Sequence, residues 1–226
     1  MTLRLRRSPM MIAFDLHIHT RRYSGCSFIE YEDLVGQAAS VGLSGFALTE
    51  HGMRWPDAEF GRLRDIAAER GMLLINGQEI NTFDASHRSE GEFLVFGLSR
   101  SLTKECPAAE LVHTVHEEGG IVIAAHPYKL ARGGKSHYYG AGNRVYQLKL
   151  DAIELCHPDH GEAAMKKVRR AMEELKIPGT GGSDAHKILQ VGSCVTVFEN
   201  PVRSEEEFLR EIRTGRIRAE KRSPEA

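Results

Sequence analysis

Asp15-Leu16-His17-Ile18-His19-Thr20 directly follows the apolar run Met11-Ile12-Ala13-Phe14, and this stretch decides the fold and chemistry that the sequence predicts. The apolar run has the length of a β-strand. Side chains on a strand alternate with a period of two, so both histidines are predicted on one face near the strand's C-terminal end. Two such imidazoles can bind one metal ion, and neutral imidazole suits Zn, Fe, Mn and Ni. A pair of surface or capped histidines is the alternative for this motif taken alone.

Histidine and acidic residues recur where other apolar runs end. They occur in Thr49-Glu50-His51-Gly52, Gly77-Gln78-Glu79, Ala125-His126-Pro127, Leu155-Cys156-His157-Pro158 and Gly182-Ser183-Asp184-Ala185-His186. Each of them alone could be a cap, a turn residue or a surface acid. Together they exceed the three or four ligands of a single metal site, so the sequence predicts two or more metals. Glu79 is a candidate to bridge two ions, an arrangement used to hydrolyse phosphate esters.

Strand-like apolar runs alternate with segments of helical periodicity along the chain, which predicts an α/β fold with a parallel sheet. Helices are predicted over 29–39, 56–70, 107–118, 162–175 and 204–213. Roughly seven βα units favour a closed or nearly closed barrel, whose rim would gather ligands from many strand ends. A doubly wound open sheet is the rival, but it would spread those ligands along one edge.

Composition limits the classes of protein that the sequence fits. The 226 residues carry a formal net charge of -1, from 30 basic and 31 acidic residues, which disfavours a partner such as long nucleic acid or a membrane surface. Four scattered cysteines, without a secretory signal or C-x-x-C spacing, favour reduced thiols and a cytoplasmic location. We predict a disordered leader over 1–10, a single domain over 11–219 and a disordered tail over 220–226.

Four of these stretches resemble the motifs of the PHP (polymerase and histidinol phosphatase) superfamily of metal-dependent phosphoesterases. They are Asp15 to Thr20, Ala47-Leu48-Thr49-Glu50-His51, Ala124-Ala125-His126-Pro127 and Gly182 to His186. The resemblance covers nearly the whole chain, from Met11 to about Phe198. It implies a distorted, TIM-like (βα)7 barrel with two or three divalent metals (Zn, Mn or Fe) at the C-terminal rim. The implied metal ligands are His17, His19, His51, Glu79, His126, Asp184 and His186, with His157 as a further candidate where relatives more often carry Asn.

We expect hydrolysis of a small phosphate ester, either a phosphomonoester or a nucleotide, by metal-activated water. His186 or His157 would protonate the leaving alkoxide, and Asp184 would orient or deprotonate the water. Cations beside the first motif and in the long loop Tyr128 to Leu150 are candidates to bind the phosphate: Arg21, Arg22, Lys129, Arg132, Lys135 and Arg144. The loop itself is a candidate lid, and Tyr138 and Tyr139 could stack on a base or anchor the loop.

Two residues depart from the PHP pattern. Cys26 stands where relatives tend to carry Asp or His, and Glu92 stands where many carry His. A thiolate and a carboxylate can both bind zinc, so a third metal is conceivable. Because the two departures occur together, we predict two firmly held metals and a weak or absent third.

Three other functions are compatible with the sequence. An amidohydrolase-type barrel also begins with H-x-H, but its usual bridging group is a lysine, and Glu79 holds that place here. A nuclease acting on polymers should show an extended basic track with aromatic residues, which we find nowhere outside the Tyr128 to Leu150 loop. A metal-binding module without catalytic activity is the third.

Overall fold

The computed structural model describes residues 11–102, 105–130 and 138–222. This part of the chain forms ten strands and five α-helices. The strands are β1 (Ile12–Ile18), β2 (Gly45–Leu48), β3 (Leu73–Asn76), β4 (Gln78–Phe83), β5 (Ser89–Phe96), β6 (Ile121–Ala124), β7 (Ala152–Cys156), β8 (Gly179–Gly181), β9 (Cys194–Phe198) and β10 (Ile217–Lys221). The helices are α1 (Tyr31–Ser40), α2 (Asp57–Glu69), α3 (Ala108–Glu117), α4 (Glu162–Leu175) and α5 (Glu205–Thr214). Each lies where helical periodicity was predicted.

The strands form two five-stranded sheets rather than the closed (βα)7 barrel that the sequence predicts. Their orders are β10-β9-β1-β2-β3 and β4-β5-β6-β7-β8. The first sheet is parallel from β1 to β3, but β1 pairs antiparallel with β9 on its other side. In the second sheet β4, β5 and β6 are antiparallel, and β6 to β8 are parallel. The fold is therefore mixed α/β, and no closed barrel forms among the described residues.

The barrel does not close because β9 occupies the edge of β1 that a closing strand would need. β8 is only three residues long, and it meets β9 through the Thr196 side chain, whose hydroxyl is 2.9 Å from the Gly181 nitrogen and 3.0 Å from its oxygen. The Thr196 hydroxyl therefore takes the place of the backbone hydrogen bonds that would otherwise pair β8 with β9. Isolated bridges add contacts between the sheets, His51 with Glu79 and Ile18 with Ala185. Strand ends from both sheets thereby approach one another.

A shared hydrophobic core holds the two sheets together. Phe14 of β1, Phe96 of β5 and Phe198 of β9 belong to one buried cluster, which Phe208 of α5 completes. The remaining helices cover the outer faces, α1 and α2 on the first sheet and α3 and α4 on the second. The core fills the space between the sheets, so polar side chains are left at the carboxyl ends of the strands.

The C-terminal boundary differs from the prediction. Strand β10 pairs with β9 as far as Lys221 opposite Cys194, so ordered structure continues into the segment predicted as a tail. No helix in the described ranges has the length and apolar character needed to cross a bilayer. The predicted leader at 1–10 lies outside the described residues.

Candidate metal centre

Residues from both sheets meet at the carboxyl ends of the strands. His19 follows β1, His51 follows β2, His126 follows β6, and Asp184 and His186 follow β8. Glu79 differs, because it is the second residue of β4 rather than the end of β3. Most of these side chains are buried. His17 and His19 are fully buried, and Glu79 and His126 are each 2% exposed. Desolvation at this depth makes uncompensated charge costly.

The centre of the site is the pair predicted from the H-x-H motif. The Nε2 atoms of His17 and His19 lie 3.1 Å apart. Glu79 places one oxygen 3.3 Å from His17 Nε2 and the other 3.4 Å from His19 Nε2. Asp184 Oδ1 lies 3.6 Å and 3.3 Å from the same two nitrogens. Two ring nitrogens and two carboxylates therefore face one small volume.

Each ring also has a hydrogen-bond partner on its outer side, at Nδ1. His17 Nδ1 lies 3.2 Å from Glu154 Oε1, and a carboxylate can only accept, so Nδ1 carries the proton. His19 Nδ1 lies 3.3 Å from Ser24 Oγ, whose own hydroxyl donates to Glu50 at 2.5 Å. The Nε2 atoms face each other and the carboxylates of Glu79 and Asp184. A metal ion could replace the protons that these carboxylates hold on the imidazoles, so the donor set fits a metal ion, with the outer partners in the role that supports ligating histidines.

Glu79, which the sequence predicts as a bridge between two ions, contacts several of the other predicted ligands. Beyond its contacts with the central pair, it reaches His51 Nδ1 at 2.8 Å and His126 Nε2 at 3.2 Å. Within the part of the chain that the structure describes, four groups of three side chains have ligand atoms within 4.8 Å of one another: His19, His51 and His186; His17, Glu79 and His126; His17, His19 and Asp184; and His126, His157 and Asp184. Because these groups share members, the cluster could hold more than one ion.

His157 differs from the other histidines in its proton placement. The backbone N–H of Asp159 donates to His157 Nδ1 at 3.0 Å, so the proton of the neutral ring is on Nε2. That nitrogen lies 3.2 Å from Asp184 Oδ2. Burial lowers the pKa of His157 to about 4, and the neutral ring therefore predominates at neutral pH. In this state His157 is a hydrogen-bond donor to Asp184, and its place in the group with His126 and Asp184 keeps it a candidate ligand.

Both residues that depart from the PHP pattern reach the cluster. Cys26 Sγ lies 3.3 Å from His51 Nε2 and 3.2 Å from His186 Nε2. His186 Nδ1 donates to the Asp184 carbonyl oxygen at 2.9 Å, which leaves its Nε2 lone pair facing the sulfur. Glu92 Oε2 lies 3.5 Å from His126 Nε2. A cysteine sulfur between two imidazole Nε2 atoms is a donor set suited to zinc.

The charges of the cluster shift several pKa values. Burial alone would lower the pKa of His17, but the nearby carboxylates of Glu79, Glu154 and Asp184 raise it well above its ordinary value. Burial alone would likewise raise the pKa of Glu79, yet His17 and its hydrogen-bond donors hold it well below the usual range. Burial and the charge of Glu79 raise the pKa of Glu92 to about 7. The buried carboxylates thus need positive charge beside them, which protons or metal ions can supply.

The backbone is strained where it delivers two of these side chains. His126 and Asp184 adopt positive φ angles of 25° and 48°. Side chains with a Cβ seldom adopt these values, and such strain concentrates at functional sites. Gly182 permits the close approach of β8 to β1, since a Cβ there would lie 2.5 Å from both His17 Cβ and Glu154 Oε1. A local turn and a glycine therefore bring Asp184 onto the H-x-H pair.

The centre opens into a cavity of about 710 Å³, and of the four predicted phosphate-binding cations that lie in the described ranges, Lys129 is the one found at its lining. Lys129 Nζ lies 2.6 Å from Asp184 Oδ2 within this cavity. Arg21 and Arg22 line a neighbouring cavity, where they pair with Glu30 and Glu59. Arg144 lies 3.6 Å from Glu90, away from the lining. Arg132 and Lys135 lie outside the described residues.

Two important residues were not predicted from the sequence. Glu154 is fully buried in β7, where it also accepts from the His126 backbone N–H at 2.7 Å. Burial alone would raise its pKa, but His17 and the other histidines lower it. The available signal was an acid inside the otherwise apolar strand Ala152–Cys156. Ser24, which links His19 to Glu50, has no comparable signal because serine is common in loops.

The fold and the donor set define an α/β protein with a candidate multinuclear metal centre, and comparisons with known proteins agree with this class. Residues 162–217 match the model of the PHP-associated family, PHP_C. Over 164 residues the chain is 27% identical to an uncharacterized protein of Methanocaldococcus jannaschii, and the match covers 68% of this chain and 86% of that protein.

Solved structures share the fold. A two-domain protein from Bacteroides vulgatus containing a predicted PHP-like metal-dependent phosphoesterase matches with a TM-score of 0.71 at 19% identity, over 93% of this chain and 65% of that one. An amidohydrolase from Chromobacterium violaceum, with bound sulfate and no metal, matches with a TM-score of 0.57 at 15% identity, over 77% of this chain and 87% of that one. At these identities the solved structures show a shared fold, and the family match is to residues 162–217 of this chain.

Proposed function

We propose that this chain is a metal-dependent phosphoesterase that hydrolyses small phosphate esters. The observation that carries the proposal is the convergence of two Nε2 atoms, from His17 and His19, with Glu79 and Asp184 at the base of an open cavity. The proposed ligands are His17, His19, His51, Glu79, His126, Asp184 and His186. When bound, divalent ions would supply Lewis acidity and lower the pKa of water.

The protein groups around the centre suit phosphate chemistry. Lys129 extends an ammonium group into the cavity, and although burial alone would lower its pKa, Asp184 raises it, so the charge is kept. We assign Lys129 to the phosphoryl oxygens, which ammonium groups bind as point charges. Asp184 is ionised, with its pKa held well below the usual range by His17 and its hydrogen-bond donors against the effect of burial. In this form it can orient an attacking water by accepting its hydrogen bond, whereas so low a pKa makes it a weak base for removing the proton.

The role of His157 follows from its tautomer. A neutral ring with a pKa of about 4 is a poor proton donor to a leaving alkoxide, so we propose that His157 orients Asp184 through its Nε2–H. His186 lines the cavity and stays the predicted candidate for protonating the leaving group. Its Nδ1 is already committed to the Asp184 carbonyl oxygen, so Nε2 is the nitrogen that would either bind metal or donate the proton, and His186 would act as the acid only where it does not bind metal.

The test combines metal removal with a substrate panel. Chelated protein should lose nearly all phosphomonoesterase activity and regain it with zinc, manganese or iron. In Glu79→Gln the bridging charge is lost while the shape is kept, so this variant should lose metal and turnover without unfolding. Full activity in metal-free protein would contradict the proposal, as would normal metal content in Glu79→Gln. Tight metal binding with no turnover on any ester would favour a non-catalytic module.

The same panel separates the amidohydrolase alternative. The shared fold with the Chromobacterium protein favours it, but Glu79 occupies the bridging place here and Lys129 Nζ contacts Asp184 from the cavity side. Amide and cyclic imide substrates should therefore fail where phosphate esters succeed. The predicted cytoplasmic location stays a prediction.

A further inference from the structure

An exposed lysine on helix α4 contacts both described ends of the long loop that follows His126. Lys167 Nζ donates a hydrogen bond to the Tyr138 hydroxyl at 2.6 Å, and it lies 5.4 Å from the centre of the Tyr128 ring. A cation at this distance from an aromatic ring is attracted to it. The rings of Tyr128 and Tyr138 pack edge to face, with their centres 5.3 Å apart. The ammonium group therefore joins two tyrosines of the loop to α4.

The two tyrosines flank the backbone that carries Lys129. Lys129 directly follows Tyr128. Its backbone N–H donates to the His126 carbonyl oxygen at 2.9 Å, and its carbonyl oxygen accepts from the Tyr139 N–H at 3.0 Å. Tyr139 in turn follows Tyr138, so the outgoing and returning ends of the loop lie side by side. The contacts of Lys167 with the tyrosines are therefore one residue away from each of these ends of the Lys129 hydrogen-bond network.

Close packing makes the backbone around Lys129 sensitive to the position of the returning end. A Cβ on Gly140 would lie 2.5 Å from both the His126 carbonyl oxygen and Pro127 Cα. The Gly142 N–H donates to the Pro127 carbonyl oxygen at 2.8 Å. His126 has a φ of 25°, and such strain persists only where the surrounding structure fixes it. Contacts that hold the returning end in place therefore also hold the turn from His126 to Lys129.

Helix α4 gives these contacts a fixed support. Val168 and Ala171 are fully buried, and both belong to the core beneath the second sheet. Lys167 directly precedes Val168, so its side chain starts from backbone that the core holds in position. Removing the ammonium group would take away the α4 hydrogen bond to the Tyr138 hydroxyl. The helix would then constrain the loop less firmly.

Lys129 is the cation that the proposed function assigns to the phosphoryl oxygens. Its Nζ lies 2.6 Å from Asp184 Oδ2 and 3.6 Å from Asp159 Oδ2, at the lining of the cavity above the centre. An ammonium group binds phosphate as a point charge, and the strength of that attraction depends on distance. The position of the Lys129 backbone therefore affects how well its ammonium group binds a phosphoryl group.

We propose that Lys167 is a positioning residue, which acts through Tyr138 and Tyr128 to hold Lys129 where it binds the phosphoryl group. This inference rests on the proposed function and on the role assigned there to Lys129. Lys167 itself contacts neither the cavity lining nor the candidate metal ligands through any hydrogen bond or ion pair of the described residues. Its effect should therefore be seen in phosphate affinity rather than in the chemical step.

The first measurement is hydrolysis of p-nitrophenyl phosphate by variants loaded to the same metal content. Lys167→Met should raise KM by about three- to tenfold and change kcat by less than about twofold, because Lys129 binds the phosphoryl group in the ground and transition states alike. Lys167→Arg should restore most of the lost affinity, since a guanidinium group also donates to a hydroxyl and faces aromatic rings. Lys166→Met is the matched control. It removes the same charge from the adjacent exposed position and should leave KM unchanged.

A double-mutant cycle shows whether Lys167 acts through Tyr138. Tyr138→Phe keeps the ring but removes the hydroxyl that accepts from Lys167, so it should raise KM by a similar factor. Combining it with Lys167→Met should add little, because both variants break the same contact. Fully additive effects would overturn the inference, as would an unchanged KM in Lys167→Met.

Binding of inorganic phosphate separates this inference from the proposed function. Calorimetry on metal-loaded protein should show weaker phosphate binding in Lys167→Met and parental affinity in Lys166→Met. In a Lys129→Met background, Lys167→Met should have no further effect. This pattern without turnover of any ester would defeat the proposed hydrolysis and leave the positioning role supported. Equal phosphate affinity in the parent and Lys167→Met, or a loss that persists in the Lys129→Met background, would overturn the inference.

Discussion

At the scale of single residues, Glu154 determines the orientation of the His17 ring. Its carboxylate accepts from His17 Nδ1 on one oxygen and from the His126 backbone on the other. The buried Glu154 side chain therefore fixes the relative positions of two motifs that carry predicted metal ligands. The H-x-H pair could be predicted because strand alternation is local, whereas Glu154 contacts His17 across 137 positions of sequence. Separations of that size leave no periodic signal.

Glu154→Gln should weaken metal binding without displacing a ligand. The amide is a weaker acceptor for His17 Nδ1–H. It can also present an NH2 group there, which favours the His17 tautomer with its proton on Nε2. Loss of such outer partners costs about 10–100-fold in metal affinity. Competition titration with a chromophoric chelator measures this. Glu211→Gln, a buried carboxylate remote from the centre, is the control, and equal affinities for the two variants would exclude the role assigned to Glu154.

Cys26→Ser tests the third metal position. The thiol lies between the Nε2 atoms of His51 and His186, so we expect zinc content to fall by about one ion per chain in the variant. Cobalt substitution gives a second measurement, since a sulfur ligand produces a near-ultraviolet charge-transfer band that serine cannot. Unchanged zinc content and an unchanged spectrum would restrict the centre to two metals, as the sequence predicts.

At the scale of elements, glycines show where strands approach too closely for a side chain. A Cβ on Gly181 of β8 would lie 2.3 Å from the Val195 oxygen of β9, where the two sheets meet. Gly181→Ala should therefore destabilise the protein by about 1–3 kcal/mol or more through backbone displacement. Gly36 in α1 has open space around its Cβ position, so Gly36→Ala should stabilise by up to about 1 kcal/mol. Urea unfolding measures both, and equal shifts would contradict the contact.

Helix α5 is joined to the start of β10 by a buried ion pair. Glu211 is 1% exposed and accepts from Arg216 at 2.8 Å and 2.9 Å and from Asn200 at 2.9 Å. These bonds, chiefly those from Arg216, lower the pKa of Glu211 to about 2. A carboxyl whose pKa is lowered in the folded state contributes stability above its unfolded value of 4.5, and loses it as pH falls through the folded value.

Glu211→Gln should therefore be less stable than the parent protein at pH 7, by about 2 kcal/mol. The difference in Tm should shrink as pH falls from about 4.5 toward 2, because the parent carboxyl becomes protonated there. Glu174→Gln removes an exposed partner of Arg170 and should cost at most about 0.5 kcal/mol. A difference that stays constant down to pH 2 would show that Glu211 is not acting as an ionised partner.

At the scale of the whole molecule, the candidate metal centre lies between the two sheets and takes residues from both. His17, His19 and His51 belong to the first sheet, whereas Glu79 and His126 belong to the second. Alternating strands and helices correctly predicted α/β structure and the convergence of strand ends. The sequence could not show that the barrel stays open, because the antiparallel pairing of β1 with β9 joins residues about 180 positions apart, such as Phe14 and Thr196. Local periodicity reveals strands but not which distant strand will pair.

Bound metal should therefore stabilise the whole fold. Ions at a thousand times their dissociation constant add about 4 kcal/mol, or roughly 10 °C in Tm for a chain of this size. Calorimetric scans of metal-loaded and chelated protein measure the shift. Glu79→Gln should show a smaller shift, while Leu189→Ala should match the parent protein. Identical Tm values with and without metal would contradict a metal centre that takes residues from both sheets.

The position of β1 between β2 and β9 has a consequence for biosynthesis. Strand β1 leaves the ribosome early, but its antiparallel partner is made about 180 residues later. At a synthesis rate of about 5–20 residues per second, the edge of β1 that pairs with β9 stays unpaired for roughly 10–35 s. An unpaired edge strand invites pairing with other chains. Nascent copies on one polysome are therefore most exposed to mutual aggregation before Cys194–Phe198 emerges, and a chaperone that shields Ile12–Ile18 would act within that interval.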